Sequence, residues 1–148
     1  MAYEDPALSA YRQVDVKTAS QGELILLLYD EGIKQLGCAI ELMDVKKIPA
    51  SDIERVHRHI LKAQEIITEL SVSLDMEAGE KIAQNLLSIY AYFNQQLFHA
   101  NIQKRADELV TVRDMMRQLR EAWFQIVRSP ASSVTSASPA SYNVNLAG

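Results

Sequence analysis

A chain of 148 residues, 48% apolar and 23% charged, suits one domain around one core. Its net charge of −4, from 15 basic and 19 acidic residues, supplies no clustered basic surface for nucleic acid and no electrostatic draw toward an anionic membrane. No window approaches the roughly 18 uninterrupted apolar residues of a membrane span, so no insertion into a bilayer is expected.

Residues 1–19 read as an N-terminal arm. They carry Glu4 and Asp5 and lack the apolar core of a signal peptide, which places the chain in a reducing cytoplasm. The arm also holds Tyr11, Val14 and Val16, more apolar surface than a purely solvated segment needs. Four stretches of helical period follow within residues 20–128, the expected folded domain. The first covers about residues 21–45, with Leu26, Tyr29, Ile33, Leu36, Ile40 and Met43 at alternating steps of three and four. Ser20 and Glu23 have the spacing of a capping box, and Pro49 bars continuation. Cys38, the single cysteine, lies in this stretch as an expected small buried hydrophobe, and no intrachain disulfide can form.

The second stretch covers about residues 52–74, with Ile53, Val56, Ile60, Ala63, Ile67, Leu70 and Leu74 as its seam and Ser51 with Glu54 as a second capping box. Residues 75–79 form the break. The third covers about residues 80–102, where two adjacent stripes make an unusually wide apolar arc: Ile82, Leu86, Ile89, Phe93 and Ala100 beside Ala83, Leu87, Tyr90 and Leu97. The fourth starts near Asp107, a candidate N-cap, and carries Leu109, Val112, Met116, Leu119, Trp123 and Ile126. Residues 129–148, rich in Ser and Ala with Pro130 and Pro139, have no period and are expected to form a flexible tail. Four helices of similar length with short connectors predict an all-α, antiparallel up-down four-helix bundle.

Little in this pattern supports catalysis. Glu54 and His57 offer one Glu-x-x-His pair, but His99 has Gln96 three residues before it, so the second pair of a di-iron site is missing. His59 with Lys62 has the spacing of a histidine phosphotransfer site, a pairing that also arises by chance on a solvated face. There is no nucleophile elbow and no glycine-rich phosphate loop. No enzyme, metal or cofactor is expected. A binding protein is the leading reading, with a phosphotransfer bundle or a self-associating helical scaffold as alternatives.

Local strings in register sharpen this. Tyr11, Val16, Thr18-Ala19-Ser20 and Leu24-Ile25-Leu26-Leu27-Leu28-Tyr29-Asp30 resemble the N-terminal signature of the FliS family of flagellin export chaperones. Ala63-Gln64-Glu65-Ile66-Ile67-Thr68-Glu69-Leu70 is similar to the family's second helix. Leu74-Asp75-Met76-Glu77 and Gly79-Glu80-Lys81-Ile82-Ala83-Gln84-Asn85-Leu86 are similar to its break and third helix. Ala100-Asn101-Ile102 and Leu119-Arg120-Glu121-Ala122-Trp123 resemble the third helix end and the last helix. The chain departs at Gln21, where a proline is usual, at Ala78, where a glycine is usual, and at Glu31-Gly32, where the usual glycine is shifted by one.

The resemblance implies a cytoplasmic helical bundle that binds the C-terminal segment of newly made flagellin, blocks its premature polymerisation and presents it to the flagellar export gate. Other flagellar regulatory proteins are further partners it allows. The cargo is expected to lie as helices in apolar grooves, a mode that uses anchors at helical spacing. Surplus apolar surface on the third helix, and Leu24, Ile25 and Leu28 beside the first seam, are candidate partner surface. Ile60, Ala63, Ile67, Leu87, Tyr90, Leu97, Asn101, Leu119 and Trp123 are the expected cargo wall or its immediate support. The arm is the expected lid over that surface, with Tyr11 as anchor beside Val14 and Val16.

Overall fold

The computed structural model describes residues 21–74 and 79–128. The arm with Tyr11, Val14, Val16 and the Ser20 cap, residues 75–78 of the break and the tail from residue 129 lie outside the described residues. The described residues form four helices: α1 (Gln21–Met43), α2 (Ala50–Val72), α3 (Glu80–Gln103) and α4 (Asp107–Arg128). Each packs against the next, and α4 closes the ring against α1.

Side-chain bonds fix the directions. Gln21 reaches the Ser73 carbonyl, and farther along α1 Gln35 meets His59, an equal step back along α2. His57 meets Asn101, and Gln64 meets the Asn94 carbonyl, again by equal and opposite steps on α2 and α3. Arg120 bonds Asp30, and Met116 lies against Gly32, so α4 runs antiparallel to α1. The bundle is therefore the expected antiparallel up-down four-helix type.

Several local expectations are corrected. Pro49 does not terminate α1, which ends at Met43; instead it opens α2 from an extended conformation, and its carbonyl takes the N–H groups of Asp52 and Ile53. Ser51 then lies inside α2 and forms no cap. Asp107 is the first residue of α4, not its cap; the Ala106 carbonyl accepts from Val110, and the Asp107 carboxylate pairs with Arg105. The α3 end is unusual. Lys104 takes a left-handed conformation, φ 53°, which is costly for a residue with a Cβ. Its ammonium offsets this by bonding both the carbonyl and the side-chain oxygen of Asn101.

The core is built from Leu28, Tyr29 and Leu36 of α1, Val56, Ile60 and Ile67 of α2, Leu86, Tyr90, Phe93 and Leu97 of α3, and Leu109, Val112 and Met116 of α4, with their neighbours. On α1 the buried line is rotated from the expected seam. Leu24, Ile25 and Leu28 are core, not partner surface, while Leu26, Ile33 and Ile40 are half-buried. The reason is that Gly32 and Gln35 sit on the inner face, where a count of apolar residues does not register them. A Cβ at Gly32 would stand 2.8 Å from the Met116 methyl carbon, so glycine there permits the approach of α4. Cys38 is half-buried.

Candidate functional site

The α2/α3 seam has a polar floor and an apolar lip. Across it, Gln64 of α2 donates to the Asn94 carbonyl of α3, and the Asn101 side chain of α3 bonds His57 of α2. Leu61 lies four residues after His57 and three before Gln64. Phe98 lies four after Asn94 and three before Asn101. Helical geometry therefore puts both on the flank that faces the other helix, and the antiparallel register sets them at one level. Both stand proud of the seam, Leu61 at 41% and Phe98 at 56% exposure. Ile102, one turn beyond Phe98, is 64% exposed, and Ile53, one turn before His57, is 42% exposed. Ile53 was expected in the core; it is exposed because the register carries it past the point where α3 has already ended.

Beneath this lip the Asn101 side chain is bonded through both its nitrogen and its oxygen, while the buried Asn94 Oδ1 has no hydrogen-bond partner. The Asn101 amide N–H donates to His57 Nδ1 at 2.9 Å, while its oxygen accepts from Lys104. Burial lowers the Lys104 pKa, and the nearby Glu54 carboxylate opposes that shift. On the other side of α2, buried Gln35 donates to Glu31 and accepts from His59 Nδ1–H, each at 2.7 Å. Burial lowers the His59 pKa, and Lys62, Arg55 and Arg58 reinforce the shift. The ring is thus neutral and tied by one nitrogen to the bundle, which makes it a fixture of the α1/α2 contact. Among the described residues no cluster of three or more His, Cys, Asp or Glu side chains could hold a metal, and no helix is long and apolar enough to cross a membrane.

The sequence-predicted wall residues divide in two. Ile60, Ala63, Ile67, Tyr90 and Leu97 are buried in the bundle core, where they can only support a surface. Leu87, Asn101, Leu119 and Trp123 are half-buried and reach the outside. Tyr90 has a specific inner role: its hydroxyl meets that of Tyr29 at 2.7 Å across the bundle. Burial pushes the Tyr90 pKa up to about 12 and, with the Tyr90 charge, raises that of Tyr29 as well. Sequence reasoning missed Leu61, Phe98 and Ile53 as surface. The usable signal was that Leu61 and Phe98 fall off both seams, one residue after a core position.

Comparison with known proteins places these features in context. The sequence profile of the family described as "Flagellar protein FliS" matches residues 4–130. The flagellar secretion chaperone FliS of Bacillus subtilis (strain 168) is 32% identical over 129 residues, covering 87% of this chain and 91% of the relative. That of Escherichia coli (strain K12) is 29% identical over 134 residues, covering 87% and 95%. That of Salmonella typhimurium (strain LT2) is 32% identical over 136 residues, covering 88% and 96%.

Proposed function

The chain belongs to the FliS family of flagellar secretion chaperones, and from that premise we propose that it binds the C-terminal segment of newly made flagellin. The bound segment is kept from polymerising in the cytoplasm and is delivered to the flagellar export gate. The family is one of chaperones, so the chain is a non-enzymatic carrier.

The observation that carries the cargo site is the set of large apolar side chains left exposed on α2 and α3: Leu61, Phe98 and Ile102 along the seam, and Ile53 just past its end. A helix laid in this seam buries them. Each fully buried side chain of this size contributes roughly 1.5–3 kcal/mol. Ordering a flexible segment costs on the order of 2–5 kcal/mol or more, besides the entropy of association. Four anchors offset that cost with little to spare, so the cargo must extend farther. Half-buried Leu87 continues the seam, and Leu119 with Trp123 on α4 supplies a second contact. Ile60, Ala63, Ile67, Tyr90 and Leu97 hold the helices that carry these residues, and Asn101 anchors the end of α3. In the absence of cargo the arm, through Tyr11, Val14 and Val16, covers part of the same surface.

Co-purification with full-length flagellin and with flagellin lacking its C-terminal segment tests the reading. Retention of the full-length protein alone is expected; equal retention of both would overturn it.

A further inference from the structure

The outer face shared by α2 and α3 is complementary to itself. On α3, Ser88, Ala91, Gln95, Phe98 and Ile102 follow steps of three and four, so they form one stripe, and all five are exposed. The two small residues come before Gln95 and the two large apolar ones after it. Between Lys81 and Lys104 the helix carries no Asp, Glu, Lys or Arg, although this face meets water. Depletion of charge together with exposed aromatic and aliphatic side chains is the composition of an interface centre.

The neighbouring face of α2 repeats the arrangement in charge. Arg55, Arg58 and Lys62 precede Ala63, and Glu65 and Glu69 follow it. The His57–Asn101 and Gln64–Asn94 bonds set Ala63 level with Gln95. The change of size on α3 and the change of sign on α2 therefore fall at one height along the bundle. A twofold axis at that height, running across both helices, lays the face antiparallel on a second copy. Ile102 then meets the partner's Ser88, and Phe98 meets the partner's Ala91. The two Gln95 amides meet at the axis, where each can donate to the other. On α2 the basic half of one copy faces the acidic half of the other. Arg58 and the partner's Glu65 stand about 4–5 Å apart along the helix direction, within the span of an arginine side chain. A parallel pairing would instead set Phe98 on Phe98 and Arg58 on Arg58, which size and charge both oppose.

We infer that this α2/α3 face binds a second copy of the chain, antiparallel, about an axis at the level of Ala63 and Gln95. Within one copy Arg58 meets Glu54 only at 3.9 Å, with both side chains more than half exposed, so that pair does little to hold it back. The pairing buries Leu61, Phe98 and Ile102, so on the cargo reading above a second copy and cargo compete for one face. The pairing itself does not depend on that reading.

The test is sedimentation velocity of the full-length protein, without flagellin, over a wide range of concentration. The wild type is expected to pass from monomer to dimer as concentration rises. Arg58→Glu and Glu65→Arg each place two like-charged pairs across the axis, and each alone is expected to weaken the dimer roughly tenfold. An equal mixture of the two variants restores opposite charges at both pairs and is expected to dimerise like the wild type. A second measurement needs neither variant: Gln95→Cys, at the axis, is expected to cross-link two copies under mild oxidation, while Gln84→Cys, exposed on the same helix but far from the axis, is not. A wild type that stays monomeric throughout would overturn the inference. So would weakened variants that do not recover on mixing, or equal cross-linking at positions 84 and 95. These results leave the cargo reading standing, because no cargo is present; failure to retain flagellin would likewise leave the dimer standing.

Discussion

His59 shows how a residue with a suggestive spacing acquires a plain structural role. Its Nδ1–H is held by Gln35, and burial with three neighbouring cations keeps it neutral. The sign of its pH effect follows. Above the ordinary histidine pKa of about 6.5 the ring is neutral in both folded and unfolded chains. Below it the unfolded chain takes up the proton first, so stability is lost as pH falls through that point. Urea unfolding at pH 7.5 and 5.5 is expected to show a smaller pH dependence in His59→Gln than in the wild type; an equal dependence would contradict this. The Tyr29–Tyr90 pair gives a second residue-level expectation. Replacing either with Phe strands the other hydroxyl and is expected to cost about 1–2 kcal/mol, while the double replacement costs less than the sum. Denaturant titration of the four proteins in the cycle measures it. Tyr90 was legible as apolar and helical, but its partner was not, because Tyr29 is 61 positions away and no local pattern links them.

At the scale of the helix, α1 is the informative case. Its two inner glycines look alike in the sequence and differ in the fold. A Cβ at Gly32 meets Met116 and Ile66, whereas a Cβ at Gly37 meets nothing within 4 Å. Gly37→Ala is therefore expected to stabilise by about 0.5–1 kcal/mol through helix propensity alone. Gly32→Val is expected to destabilise by about 1–3 kcal/mol through overpacking. Thermal melts of both variants decide the matter, and two changes of the same sign would contradict it. The four helices were legible from their three-four period, and their ends to within a few residues. The errors arose where polar or small residues did the work of apolar ones. Gln35 and Gly32 turned the α1 seam, and the Pro49 carbonyl replaced the Ser51 cap. Lys104 ended α3 by using its own ammonium in a conformation usually left to glycine.

For the whole molecule, the bundle was legible because segment lengths and connectors leave few alternatives, while the surface was not. Which apolar residues stay outside depends on register: Leu61 and Phe98 reach the lip only because α2 and α3 meet through His57–Asn101 and Gln64–Asn94. An attached arm competes for such a surface at high effective concentration, and cargo affinity falls by the fraction of time it is covered. Tyr11→Ala is accordingly expected to speed the association of flagellin C-terminal peptide in stopped-flow mixing, and unchanged rates would remove the lid. The central claim is that the exposed lip of the α2/α3 seam holds the cargo. Its most direct measurement is the calorimetric affinity of that peptide for the wild type and for Leu61→Asp/Phe98→Asp. Both substitutions fall at exposed positions, so melting temperatures are expected to agree within a few degrees. The account predicts affinity lower by more than about tenfold, the loss of at least one buried anchor; equal affinity in proteins of matched stability would contradict it.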